Sequence, residues 1–227
     1  MVKYLQRLIN CDSKSLLSNA FLESSSLHED KKNSWISTIQ LILKHLDIPF
    51  SSVYNKNFHH RVKSKLVSMY NLQFNKTLSD CREHEVGKLR TYALFKTNLC
   101  YEPYFDIIRN VDIRKCFTGF RVSSHRLQIE LGRYKKVPKE KRLCELCLSG
   151  EVEDEIHFVT SCERYDNKRK AFYDTILSLN KHFGNLSKKD KFIWLFSNEN
   201  KDVLLNLATF VYECYQLRGS VIKECQA

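Results

Sequence analysis

Glycine and proline are scarce in this chain, six and three among 227 residues. So few turn formers argue against a turn-rich β-sandwich, and long stretches of Leu, Lys, Glu and Asn argue for helices. No apolar run approaches the roughly 18 residues that a membrane span needs. The opening MVKYLQRLINCDSK breaks its apolar residues with Gln, Arg, Asn and Asp, unlike a secretory signal. The expectation is an intracellular protein, nuclear or cytoplasmic, with no membrane partner. Repeats and low-complexity tracts are absent. So are a phosphate loop, a Ser-His-Asp grouping and a carboxylate pair in a plausible pocket, which speaks against an enzyme.

Hydrophobic residues make up 43% of the chain and aromatic ones 12%, enough for a substantial core. Helical periodicity predicts helices over Lys3–Ile9, Lys14–Leu22, from near Ser34 to the DIPF (47–50) that ends it before Pro49, and from Asn55 to about Cys81. The polar run Ser24–Asn33 reads as a loop. Short helices follow over Lys88–Arg133, with Tyr92, Phe95, Tyr104, Ile107, Ile108, Phe117 and Phe120 as their core. Tyr165–Phe183, with Phe172, Ile176 and Leu179 on one face, and Lys188–Phe196 are helical, Ser187 being the N-cap of the second. The clearest helix is the last, where Val203, Leu204, Leu207, Phe210, Val211, Cys214, Leu217 and Val221 make one stripe. The predicted fold is mainly α, an irregular helical array with a small structural zinc knuckle. The organisation read from the sequence is a helical segment over 1–87 and a basic helical region over 88–227, with a boundary near Arg82–Lys88.

Nine cysteines is an odd number, and in a reducing compartment they read as buried thiols or metal ligands rather than a disulfide framework. Three of them fall in CELCLSGEVEDEIHFVTSC, spaced Cys144-x2-Cys147-x9-His157-x4-Cys162. Three thiolates and one imidazole are a standard tetrahedral zinc set, and Cys-x2-Cys fits a tight turn. The acidic residues at 151, 153, 154 and 155 suit a helix N-terminus through the macrodipole. An ideal helix would carry Cys162 about 140° away from His157. The spacing therefore predicts that the helix unwinds near Ser161. With all four positions filled by protein, the expected ion, one zinc per chain, is structural and leaves no place for an activated water. The same residues are otherwise two thiols in a turn, a surface histidine and a core cysteine.

Lys and Arg outnumber Asp and Glu by 37 to 26, a net charge of +11. Ten basic residues lie between 114 and 142 (Arg114, Lys115, Arg121, Arg126, Arg133, Lys135, Lys136, Lys139, Lys141 and Arg142), against Glu130 and Glu140 alone. Such clustering suits phosphate, so RNA or DNA of low sequence specificity is the expected partner, with steep salt dependence. A solubilising face with no partner is the plainer reading. Tyr134 reads either as a base-stacking ring or as a packed ring at the loop root, and His125 as a core histidine.

Four segments, KLRTYALFKTN (88–98), FRVSSHRLQIELGRY (120–134), LCELC (143–147) and EVEDEIHFVTSCERY (151–165), follow one another at short intervals. Together they resemble the C-terminal, post-polymerase region of non-LTR retrotransposon (long interspersed element) reverse transcriptases; RLIN and the surroundings of Trp35 are more distantly similar. The resemblance implies that Cys144, Cys147, His157 and Cys162 form a zinc knuckle that helps to bind template RNA or target DNA. It also implies a polymerase core, which another chain would have to supply. The catalytic Tyr-x-Asp-Asp of that family is absent, there is no Asp-Asp pair, and FYDT (172–175) offers one carboxylate where two metal ions would need more. The family's endonuclease is missing too. The chain therefore reads as the tail of such an element, starting at its own Met1, that does not polymerise DNA. A scaffold or protein-interaction domain, or a relic open reading frame without selected function, is the alternative.

Overall fold

The computed structural model describes residues 2–84, 87–147 and 149–226. Among them are twelve α-helices, short 3-10 turns and no strand beyond one isolated antiparallel bridge, Leu143 with Val152. The mainly helical expectation holds. Grouped by contact, the chain forms two compact units, 1–74 and 75–227. The division falls inside a long helix, whereas the boundary read from the sequence, Arg82–Lys88, begins in the last turn of that helix; Glu85 and Val86 are outside the described residues.

The first unit contains α1 (Val2–Ile9), α2 (Leu16–Glu29), α3 (Trp35–His45), a 3-10 turn (Phe50–Tyr54) and the first part of α4 (Phe58–His84). Ser15 and Ser34 cap α2 and α3, each hydroxyl accepting from the amide three residues on. The core is small and aliphatic: Leu5, Ile36, Ile39, Leu43, Leu46, Ile48, Val53 and Val62, with Phe58 as its one fully buried ring. The expected loop over Ser24–Asn33 is corrected: Ser24 to Glu29 belong to α2. Ser25 turns its hydroxyl back onto the Phe21 carbonyl at 2.9 Å, which satisfies that hydroxyl within the helix instead of leaving it to compete for the backbone of a turn.

Scarce glycine raises the question of how these helices stop. Four of them end in the same way. Lys31, Asp47, Ser123 and Lys136 have φ of 58°, 51°, 52° and 57°. Each sits just past the cap of its helix, and the residue after it donates back five positions, as in Ile48 to the Leu43 carbonyl at 2.9 Å and Val137 to that of Gly132 at 2.8 Å. This is the Schellman turn, normally built with glycine in the left-handed position. Here side-chain-bearing residues accept that conformation, at about 1–2 kcal/mol each.

The second unit contains the rest of α4 and α5 (Tyr92–Phe95), α6 (Tyr104–Ile107), α7 (Val111–Arg121), α8 (Gln128–Tyr134), α9 (Glu155–Thr160), α10 (Asp166–Leu179), α11 (Lys188–Ser197) and α12 (Lys201–Gln226). The last helix packs on α7 and α10, and α11 packs on α9 and α5. Its predicted stripe is buried from Val203 to Cys214. Aromatic rings fill the centre: Phe192 and Phe196 stack at 4.3 Å, Phe120 meets Phe158 at 5.1 Å, and Phe158 meets Tyr165 at 4.7 Å. Phe158 thus seats α9, the helix that carries His157. Two details differ from expectation. The helix α10 stops at Leu179, where Asn180 caps the following 3-10 turn, so it does not reach Phe183, and Leu179 is exposed rather than in the core.

Candidate metal centre

Residues 142–153 fold back on themselves. The Cys144 amide donates to the Glu151 carbonyl and the Glu153 amide to the Arg142 carbonyl, both at 2.9 Å. The tight turn at Cys144–Cys147 points its amides inward, so that Leu146 and Cys147 N–H groups serve Cys144 Sγ. Beyond the hairpin, Asp154 caps α9 by accepting from the His157 amide at 2.8 Å. The helix is only six residues long. It ends at Thr160, and the Cys162 amide returns to the His157 carbonyl at 2.9 Å. This is the unwinding the spacing predicted. Arg169, on α10 and buried, donates to the Val159 carbonyl at 3.0 Å and to the Cys162 carbonyl, fixing the cysteine where the helix releases it.

The result is that Cys144 Sγ, Cys147 Sγ, Cys162 Sγ and one His157 ring nitrogen all lie within 4.8 Å of one another. Bond lengths of about 2.3 Å to sulfur and 2.0–2.1 Å to nitrogen imply tetrahedral edges of about 3.8 Å between sulfurs and about 3.6 Å between sulfur and nitrogen. Cys144 and Cys162 are 3.9 Å apart, and Cys147 Sγ is 3.4 Å from His157 Nε2. The donor set therefore fits one tetrahedral metal ion. Cys144, His157 and Cys162 are buried, and Cys147 is half-buried.

The protonation pattern points the same way. With protons in place of a metal, the Cys144 thiol is drawn well down by the hydrogen bond with Cys162, against the effect of burial, with His157 and the turn amides adding to the pull. Cys162 is correspondingly pushed up, since the two sulfurs share one proton. Burial would lower His157, but Cys144 and Glu151 outweigh it and raise it to about 9. A thiolate beside an imidazolium is what a dication would replace, releasing protons as it binds.

Sequence reasoning missed Glu151. Its acidic neighbours suggest a place in a helix N-terminus, yet the helix begins at Glu155 and Glu151 stands on the returning arm of the hairpin. Its Oε2 accepts from His157 Nδ1 at 2.7 Å and from Ser161 at 3.0 Å, while Oε1 accepts from Lys188 Nζ at 2.9 Å. Lys188 first, then His157 and Ser161, hold its carboxyl down to about 2. A carboxylate on Nδ1 leaves Nε2 facing the thiols as an acceptor, the usual support for a metal-binding histidine. The general expectation of such an acid exists in sequence; which acid fills it depends on the hairpin. Glu155 does open the first turn of α9, behind the Asp154 cap, as the dipole reading expects, but Glu153 lies before the helix. Glu153 is buried in a two-pronged pair with Arg218, both bonds at 2.8 Å. Glu155 is buried among Arg90, Thr91, Ser123 and His125. His125 is thereby the core histidine expected.

The ten basic residues divide. Lys115, Arg126, Lys135, Lys136, Lys139 and Lys141 are exposed. Arg114 is half-buried and donates to the Ile108 carbonyl at 2.7 Å, and Arg133 pairs with Glu130. Arg121 and Arg142 are framework residues rather than surface contacts. Arg121 is buried among Phe95, Tyr104 and Phe117, with Glu102 at 2.9 Å and the Phe196 carbonyl at 2.8 Å. Arg142 lies under α8, donating to the Val137 and Ile129 carbonyls at 2.9 and 2.8 Å. No disulfide occurs among the described cysteines, and no helix among the described residues is long and apolar enough to cross a membrane. No family model, curated protein or solved structure matches the chain.

Proposed function

We propose that residues 75–227 form a non-catalytic nucleic-acid-binding module whose hairpin is held by one structural zinc ion. The observation that carries this reading is the closed donor set. Three sulfurs and a nitrogen within 4.8 Å of one another favour zinc among common ions and would leave a tetrahedral ion no coordination position for a substrate or a reactive water. The ion then acts as a clamp, tying the end of the basic loop, through Arg142 and the hairpin, to α9. Lys135, Lys136, Lys139 and Lys141 are displayed on that loop. The similarity of 88–165 to the tail of non-LTR retrotransposon reverse transcriptases supports the same role, on RNA template or target DNA beside a polymerase core from another chain.

Fluorescence anisotropy with labelled oligonucleotides tests the reading. Binding in the micromolar range is expected, with a log–log salt slope of about −3 if four lysines meet single-strand phosphates. Reversing Lys135, Lys136, Lys139 and Lys141 to Glu should abolish it. Undiminished binding by that variant at moderate salt would refute the assignment of the loop. One observation favours a protein-interaction scaffold instead: Val67, Tyr70 and Leu72 on α4 are 51%, 54% and 73% exposed. Self-association of the purified chain that Tyr70→Glu abolishes, without any oligonucleotide binding, would decide for that scaffold.

A further inference from the structure

The loop that leaves α8 carries an arrangement that charge attraction alone does not call for. Tyr134, the last residue of α8, is 70% exposed in the midst of lysines. One face of its ring is covered: the guanidinium carbon of Arg133 lies 4.6 Å from the ring centroid. That guanidinium is itself fixed, since its Nε and Nη2 donate to Glu130 Oε2 at 2.9 and 2.8 Å. Glu130 in turn is buried and also receives Arg90. A buried carboxylate thus sets a cation, the cation sets one face of the ring, and a ring so exposed keeps its other face open.

The neighbouring backbone is equally set before any ligand arrives. Lys136 occupies the left-handed position of the Schellman turn that ends α8. Arg142 braces the loop from beneath, and it passes so near Gly132 that a Cβ there would lie 2.5 Å from Arg142 Cγ. Exposed lysines follow the ring in the chain at 135, 136, 139 and 141. In a duplex both faces of every internal base are taken by its neighbours, so a protruding ring finds nothing to stack on; an unpaired base offers a free face to any aromatic ring.

Resting on the nucleic-acid reading above, we infer that this loop is a single-strand platform. An unpaired base stacks on the open face of Tyr134, and the phosphates beside it meet Lys135, Lys136, Lys139 and Lys141. Arg133, counted from the sequence as a phosphate contact, is the support behind the ring.

The test is fluorescence anisotropy of the full chain with a mixed-sequence single strand and with its duplex, run separately for DNA and RNA. In at least one of the two chemistries the single strand should bind about tenfold more tightly than the duplex. Tyr134→Ala should lose about tenfold on the single strand and nothing on the duplex, and Tyr134→Phe should keep wild-type affinity. A Tyr134→Trp variant should show indole quenching with the single strand only. Equal affinity for strand and duplex, or a Tyr134→Ala variant that binds the strand like wild type while reversal of the four lysines still abolishes binding, overturns the inference and leaves the nucleic-acid reading standing. Absence of binding by the wild type to every probe at low salt overturns both.

Discussion

The two units of this protein hold themselves together by different means. In 2–74 the described core is aliphatic, and the only buried polar residues are Ser24 and Ser52. In 75–227 the core is rich in aromatic rings and encloses Lys96, Arg121, Glu130, Glu153, Glu155, Arg169 and Arg218, together with the cysteine and histidine cluster. A purely apolar core gains stability without demanding any one geometry. Buried charges demand it, because each one left unpaired costs several kcal/mol. The second unit therefore behaves as a positioned frame. Glu153 with Arg218, and Glu155 with Arg90, fix the chain just before His157, and Arg169 fixes Cys162. Four of these buried charges, Glu153, Glu155, Arg169 and Arg218, bear on the segment that carries His157 and Cys162.

The contrast can be broken from either side, and each unit carries one tryptophan, Trp35 and Trp194, to report on it. The largest effect should follow removal of the metal, by a chelator or by Cys144→Ser. Structural zinc binds small modules with about 10–16 kcal/mol at neutral pH, so amide protection should fall across 142–162 while that of α3 is unchanged. Arg218→Ala leaves Glu153 buried without its partner and should cost the second unit about 3–5 kcal/mol in denaturant titrations followed through Trp194. Acid should separate the units more gently. Burial would raise the Glu102 carboxyl, but Lys96 and Arg121 outweigh it and hold it below its usual 4.5. Its contribution is thus complete above that pH and is lost as pH falls through the lower folded value. The Trp194 transition should weaken with acid in that window more than the Trp35 transition does. The smallest change is a gain. Asp47→Gly relieves a left-handed residue at φ 51° and should stabilise the first unit by about 1 kcal/mol, leaving Trp194 unmoved.

Much of this was legible in the sequence, for identifiable reasons. The stripe of α12 is written at helical spacing because one face of a long helix meets a core throughout. The four residues that could hold a metal lie within nineteen residues, so local spacing sufficed to group them and to predict the unwinding before Cys162. What escaped depends on distant partners. Arg121 looks like any other residue of a basic run until Glu102 and three rings close over it. Glu151 looks like a helix-capping acid until the hairpin turns it toward His157. The helical state of Ser24–Glu29 opposes local propensity and was not written in the polar run itself. Glycine was a poor guide to helix ends here, because Lys31, Asp47, Ser123 and Lys136 take its place.

The central claim is that Cys144, Cys147, His157 and Cys162 close around one zinc ion. Elemental analysis of protein purified without chelators, wild type beside Cys147→Ser, tests it most directly. The account predicts about one zinc per chain in the wild type, and its loss from the variant. Wild-type protein without metal, or a variant that keeps its zinc in full, would contradict it.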